Sequence, residues 1–156
     1  MQSDLPADAL IVLVGAAGSG KSAWALDHLR PTQILSSDAF RGMVADDDRD
    51  QSATDDAFEL LELTAAKRLA RGLLTLIDAT NVEAWTRFRW IDLAARHRRP
   101  SVAVAFDVPL ETLLERNARR ETRAVSSSVV KQQARQMRTA LRGLEQEGFT
   151  VVIRGA

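Results

Sequence analysis

The sequence predicts an α/β fold of three layers, αβα, with a five-stranded parallel sheet in the middle. Apolar runs of strand length recur at residues 10–14, 33–36, 73–78, 102–106 and 149–153. Most lack the polar alternation of a half-exposed sheet, so both faces should be covered. Helical spacing fills the stretches between them, and alternating strands and helices imply right-handed crossovers with helices on both sides of the sheet. At 156 residues the chain has the size of one domain, 1–156, with one core.

Each element has its own signal. The first run leads through G-A-A-G-S-G-K-S directly into a helix beginning near Lys21. The second ends in S-S-D-A-F-R, and Ser52 or Thr54, followed by Asp55 and Asp56, gives the long central helix a capped, acidic start. Its apolar stripe is Ala57, Leu60, Leu61, Thr64, Ala65 and Leu69, closed by Gly72. The third strand ends in D-A-T-N, and Pro109 opens the P-L-E-T-L-L-E-R-N helix as a first-turn proline. Val130, Ala134, Met137, Leu141 and Leu144 mark the last helix, closed by Gly148. The expected order is β-α-β-α-β-α-β-α-α-β, with irregular polar stretches at 42–51 and 119–128, where loops carry function.

Composition removes several classes of chemistry. With no cysteine the chain can form neither a disulfide nor a thiolate zinc site, and its two histidines, His28 and His97, stand far apart. A reducing, cytoplasmic location is expected. The longest apolar stretch, residues 9–17, is too short to span a bilayer, and Asp4 and Asp8 occupy positions where a secretory signal would be positive. Net charge is zero but lopsided: residues 1–62 carry net −8 and residues 63–156 net +8. Between Arg116 and Arg142 lie eight bases and one acid, Glu121, a segment suited to polyphosphate or a nucleic-acid backbone and equally readable as a solvated helix face.

The chemistry starts at Gly15, Ala16, Ala17, Gly18, Ser19, Gly20, Lys21 and Ser22, the G-x-x-x-x-G-K-[ST] pattern of a P-loop. Its glycines let backbone N–H groups turn inward at a helix N-terminus, so a nucleoside triphosphate can nest there. Lys21 would reach the β/γ-phosphates and Ser22 would offer its hydroxyl to Mg²⁺. In an open parallel sheet, ligands lie beyond the carboxyl ends of the strands. Asp38, just past the second strand, can there accept the proton of an attacking hydroxyl, with Arg41 one helical turn away holding the acceptor. Asp38 also reads as the cap of a short helix. Asp78, ending the third strand, is a candidate for Ser22 or the metal, and Asn81 for supporting the turn. Arg116 and Arg120, spaced i to i+4, could close over the phosphates as a lid at about 116–144, with Arg119 turned aside.

Taken together, G-A-A-G-S-G-K-S, S-S-D-A-F-R-G, D-Q-S-A-T-D-D-A-F, L-I-D-A-T-N-V, L-E-R-N-A-R-R-E-T-R and Q-M-R-T-A-L-R-G-L-E-Q-E-G-F resemble the kinase module of bacterial polynucleotide kinase/phosphatase, an RNA end-repair enzyme. The resemblance runs from Leu10 onward and implies a P-loop kinase transferring the γ-phosphate of ATP or another NTP to the 5′-hydroxyl of RNA or DNA. It implies Lys21 and Ser22 at the phosphate and metal positions, Asp38 as general base, Arg41 on the acceptor side, and Arg116, Arg120 and Arg123 on the donor phosphates. The chain differs in having Ala23 where threonine is common, and in the serine-rich stretch 126–128. A small-molecule kinase on the same scaffold is the alternative, and the acidic run Asp46, Asp47, Asp48 and Asp50 counts toward it.

Overall fold

The structure is a computed structural model that describes residues 5–121 and 124–155. Its strands are β1 (Leu10–Val14), β2 (Ile34–Ser36), β3 (Thr75–Asp78), β4 (Ser101–Ala105) and β5 (Val151–Arg154). The helices are α1 (Lys21–His28), α2 (Ser37–Ala45), α3 (Thr54–Ala70), α4 (Ala84–Arg96), α5 (Leu110–Ala118) and α6 (Ser127–Gly143), and single 3₁₀ turns lie at Pro31–Gln33, Gln51–Ala53 and Leu144–Gln146. The strands pair in parallel in the order β2-β3-β1-β4-β5, with Leu10 opposite both Thr75 and Ser101.

The alternation of side chains along β1 divides the core. Leu10, Val12 and Val14 pack with Leu61 and Leu69 of α3 and Trp90 and Leu93 of α4, whereas Ile11 and Leu13 pack with Ala25 of α1, Leu29 and Phe106. Every residue of β1 is therefore buried, as a central parallel strand requires. A third cluster joins Ala16 of the P-loop to Leu113 of α5 and Val130 of α6. It packs the basic segment after β4 against the phosphate loop.

The fold class is the one the apolar runs predict, with four local corrections. Two helices, not one, separate β2 from β3: α2 follows β2 with no connector, and Ser36 Oγ accepts from Ala39 N at 3.3 Å, so no turn residues mark the change. Neither Ser52 nor Thr54 caps α3; Ser52 donates to Asp50 within the preceding 3₁₀ turn, and the N-cap residue is Ala53. Pro109 is the N-cap of α5 and not its first helical residue, because its ψ of 142° is extended. Leu60 lies outside the buried stripe of α3, 43% exposed.

Candidate active site

Residues 15–22 turn from β1 into α1 with little room to spare. A Cβ on Gly15 would lie 2.6 Å from Ser19 Oγ and 3.0 Å from Phe106 Cβ, so nothing larger than hydrogen fits. Gly20 caps α1 at φ 98°, a left-handed conformation that disfavours a side chain. Gly15 N donates to Thr80 O at 2.9 Å, Ser19 N to Ala16 O at 3.2 Å, and Ala17 N to Gln133 Oε1 on α6 at 2.8 Å. The first amides of α1 have no carbonyl within the helix to bond, which makes this turn a ready anion cradle. Ser19 Oγ is buried against Gly15 without a hydrogen-bond partner among the described residues.

Lys21 is 8% exposed and donates from Nζ to Ala16 O at 2.9 Å. Burial lowers its pKa to about 8, with Asp78 and Asp38 raising it and Arg120 lowering it further. Lys21 therefore sits in the field of three residues from separate parts of the chain. A polyphosphate would give this ammonium the counter-charge that burial withholds.

One residue on, Ser22 Oγ donates to Asp78 Oδ2 at 2.8 Å, so the first helix and the third strand meet at two oxygen ligands. Among the described residues no group of three or more histidines and carboxylates gathers to hold a metal. This sparse oxygen pair fits Mg²⁺, which takes one or two protein oxygens and fills its octahedron with phosphate oxygens and water.

The loop after Asp78 is held by Asn81, as the sequence suggests, within a wider network of Trp90, Arg87 and Glu147 that sequence reading missed. Asn81 takes φ 47°, donates from Nδ2 to Leu13 O at 2.8 Å and accepts from Trp90 Nε1 at 3.0 Å. Arg87, 3% exposed, donates to Asn81 O at 3.0 Å and forks onto Glu147 at 2.6 and 2.7 Å. Arg87 and Glu147 are sixty positions apart in sequence, and nothing local to either predicts the pair.

At the end of β2, Asp38 stands in the first turn of α2 and its Oδ1 accepts from Arg41 Nη2 at 2.5 Å. Arg41 also donates from Nε to Asp48 O at 3.1 Å. Asp38 remains 41% exposed while Arg41 is 12% exposed, so the arginine is fixed and the carboxylate reaches the cleft. Lys21, Ser22, Asp38, Arg41, Asp78 and Arg120 all line one cleft of about 970 Å³.

The basic segment divides. Arg120 lines the cleft, but α5 ends at Ala118, so Arg116 and Arg120 do not share a helical face as their spacing suggests. Arg116 instead donates from Nη1 to Gly18 O at 3.0 Å, bracing the phosphate loop from outside. Asn117 clamps the turn that follows, donating to Val125 O at 2.6 Å and accepting from Val125 N at 2.9 Å. Arg119 is exposed, and Arg123 lies outside the described residues.

A parallel sheet of order 2-3-1-4-5, a glycine cradle with its buried lysine, and a serine–aspartate pair define a P-loop kinase. A family model described as an AAA domain matches residues 10–144, and the chain belongs to that family of P-loop kinases, which use ATP. Several solved structures share the fold. One comes from the Pnkp1/Rnl/Hen1 RNA repair complex, with 22% identity and TM-score 0.75, covering 86% of this chain and 45% of the other. A second structure, of the Pnkp1/Rnl/Hen1 complex, matches with 24% identity and TM-score 0.61 over 76% of this chain and 40% of the other, so the chain spans less than half the length of these two matched chains. Shikimate kinase from Acinetobacter baumannii, in complex with shikimate, matches with 19% identity and TM-score 0.55 over 98% of this chain and 85% of its own. The tunicamycin resistance protein of Deinococcus radiodurans matches with 15% identity and TM-score 0.56 over 92% and 84%. Among the described residues no helix is long and apolar enough to cross a membrane.

Proposed function

We propose that the chain, residues 1–156, is a 5′-hydroxyl polynucleotide kinase module that moves the γ-phosphate of ATP or another NTP to the 5′-OH end of RNA or DNA, as in nucleic-acid repair. The observation that carries the reading is that Lys21 and Asp38 line the same cleft, with Asp38 among the charges that act on Lys21. The nucleotide would lie along residues 15–22, its phosphates on the loop amides and Lys21. Ser22 and Asp78 would hold Mg²⁺, which when bound supplies charge stabilisation at the transferring phosphoryl group. Asp38, with Oδ1 held by Arg41, would accept the acceptor hydroxyl's proton, and Arg41 would steady the acceptor as that charge develops. Arg120 and Arg123, with Arg116 behind the loop, would form the basic side of a lid spanning 116–144.

The 5′-end specificity is supported by the strings shared with the polynucleotide kinase/phosphatase kinase module. The fold likeness to a chain of an RNA repair complex agrees with it. The test incubates the protein with Mg²⁺, γ-labelled ATP and 5′-OH oligonucleotides; label on single-stranded RNA or DNA is expected, and none on either overturns the reading. A small-molecule kinase is the second reading, favoured by the carboxylates Asp55, Glu59 and Glu83 lining the same cleft. An oligonucleotide acceptor requires a KM that rises steeply with salt, whereas a neutral metabolite gives a flat response.

A further inference from the structure

Trp85 and Phe88 are large aromatics that the core leaves exposed, and of the two Trp85 lines the cleft. It stands in the first turn of α4 with 59% of its surface exposed, yet it lines the cleft with Asp38 and Arg41. The sheet order sets its side. β2 and β3 lie to one flank of the P-loop strand and β4 and β5 to the other, so the segments following β2 and β3, which carry Asp38 and Trp85, approach the cleft from the flank opposite the basic segment after β4. Trp85 also has its polar edge engaged, for Nε1 donates to Glu83 Oε2 at 2.5 Å, which anchors the ring while its faces need no polar partner. Its backbone rides on the loop that Asn81 and Arg87 fix from below. An exposed indole on a rigid turn, inside a cleft, is a stacking platform.

We propose that Trp85, oriented by Glu83, is a nucleobase subsite on the acceptor flank, stacking a base at the 5′ end of the strand whose hydroxyl faces Asp38. The proposal rests on the polynucleotide reading above. Glu83, which lines the same cleft and holds the Trp85 indole N–H, has carboxylate lone pairs left to accept from base amino and imino N–H groups. The subsite therefore reads a base by its face and edge.

The test measures KM and kcat for a 5′-OH oligonucleotide and for the same strand with an abasic 5′-terminal nucleotide, in wild type, Trp85→Ala and Trp85→Phe. Loss of one stacking contact should raise acceptor KM by about fivefold to a hundredfold in Trp85→Ala, with kcat and the KM for ATP held. Trp85→Phe should keep part of the affinity, and the abasic strand should be penalised in wild type but no longer in Trp85→Ala. Glu83→Ala should raise acceptor KM less than Trp85→Ala, and Glu83→Gln, which retains an acceptor oxygen, should be close to wild type. Transfer with an acceptor KM indifferent to Trp85, or an abasic penalty that persists without the indole, overturns the subsite alone. Absence of transfer to every oligonucleotide overturns the polynucleotide reading and the subsite with it.

Discussion

On the P-loop side of the cleft, the donor side of the proposed reaction, the chain presents mostly backbone: the amides of residues 15–22, carbonyls held by Lys21 and Arg116, and the Ser22 hydroxyl. On the other side, the acceptor side of that proposal, it presents side chains from separate elements, among them Asp38 and Arg41 of α2, Phe58 of α3 and Trp85 of α4. Phosphates are the same in every nucleotide, so a site that reads them can be made of peptide groups and a few small residues. An acceptor must be told apart from other acceptors, which takes shape, charge and aromatic surface. The two sides therefore differ in how freely their residues can change while the fold persists.

The largest expected effect separates the two sides. Asp38→Ala should lower kcat by about a hundredfold to ten-thousandfold, because a general base acts in the transition state. Nucleotide affinity, read by titration with a fluorescent analogue, should move by no more than about twofold. Retained turnover would remove Asp38 from the chemistry and leave the acceptor side without a base.

Next comes the joint between the sides. Arg87→Ala strands Glu147 and frees the Asn81 loop, and breaking so buried a pair should cost about 3–5 kcal/mol in denaturant unfolding. A variant within about 0.5 kcal/mol of wild type would show that the loop holds without it. On the donor side alone, Gly15→Ala drives a methyl group into Ser19 and should cost about 1–3 kcal/mol of stability while weakening nucleotide binding. The acceptor-side Trp85→Phe should leave stability unchanged, since the ring is exposed.

A further effect is a pH response that belongs to the P-loop side. Lys21 has its pKa lowered from 10.5 to about 8, so between those values the unfolded chain keeps a proton that the folded chain has released. Stability from this group should accordingly rise with pH across that window and be flat below about 8 and above 10.5. Nucleotide binding should show the opposite sign: phosphates favour the ammonium, so affinity should fall above about pH 8 with proton uptake measurable by calorimetry in buffers of different ionisation enthalpy. The slope for one proton is at most about tenfold per pH unit. Binding that is level from pH 7 through about 9.5 would mean that Lys21 does not change charge in that range.

The P-loop side was legible because its signal is contiguous: strand, six-residue loop and helix are read off neighbouring positions, and close approach at Gly15 disfavours any side chain there. Asp38 and Asp78 were legible because a parallel sheet brings strand ends to one edge. Residues whose meaning depends on distant partners were not. Gln133 looks like any polar residue on a helix until its Oε1 accepts from Ala17 N, and Arg87 looks like surface charge until it reaches Glu147. Arg116 and Arg120 misled in the other direction, since their spacing assumes a helix that stops two residues before Arg120.

By itself the sequence determined the layers, the strand directions and the phosphate loop, because periodicity of apolar residues and local turn chemistry are short-range physics. Only the tertiary structure decided that Trp85 shares a cleft with Asp38, that Arg116 braces the loop while Arg120 lines the cleft, and that a buried ion pair carries the turn between β3 and α4. Those facts depend on how separate elements pack in space, and the free energy of that packing is spread over contacts between residues far apart along the chain.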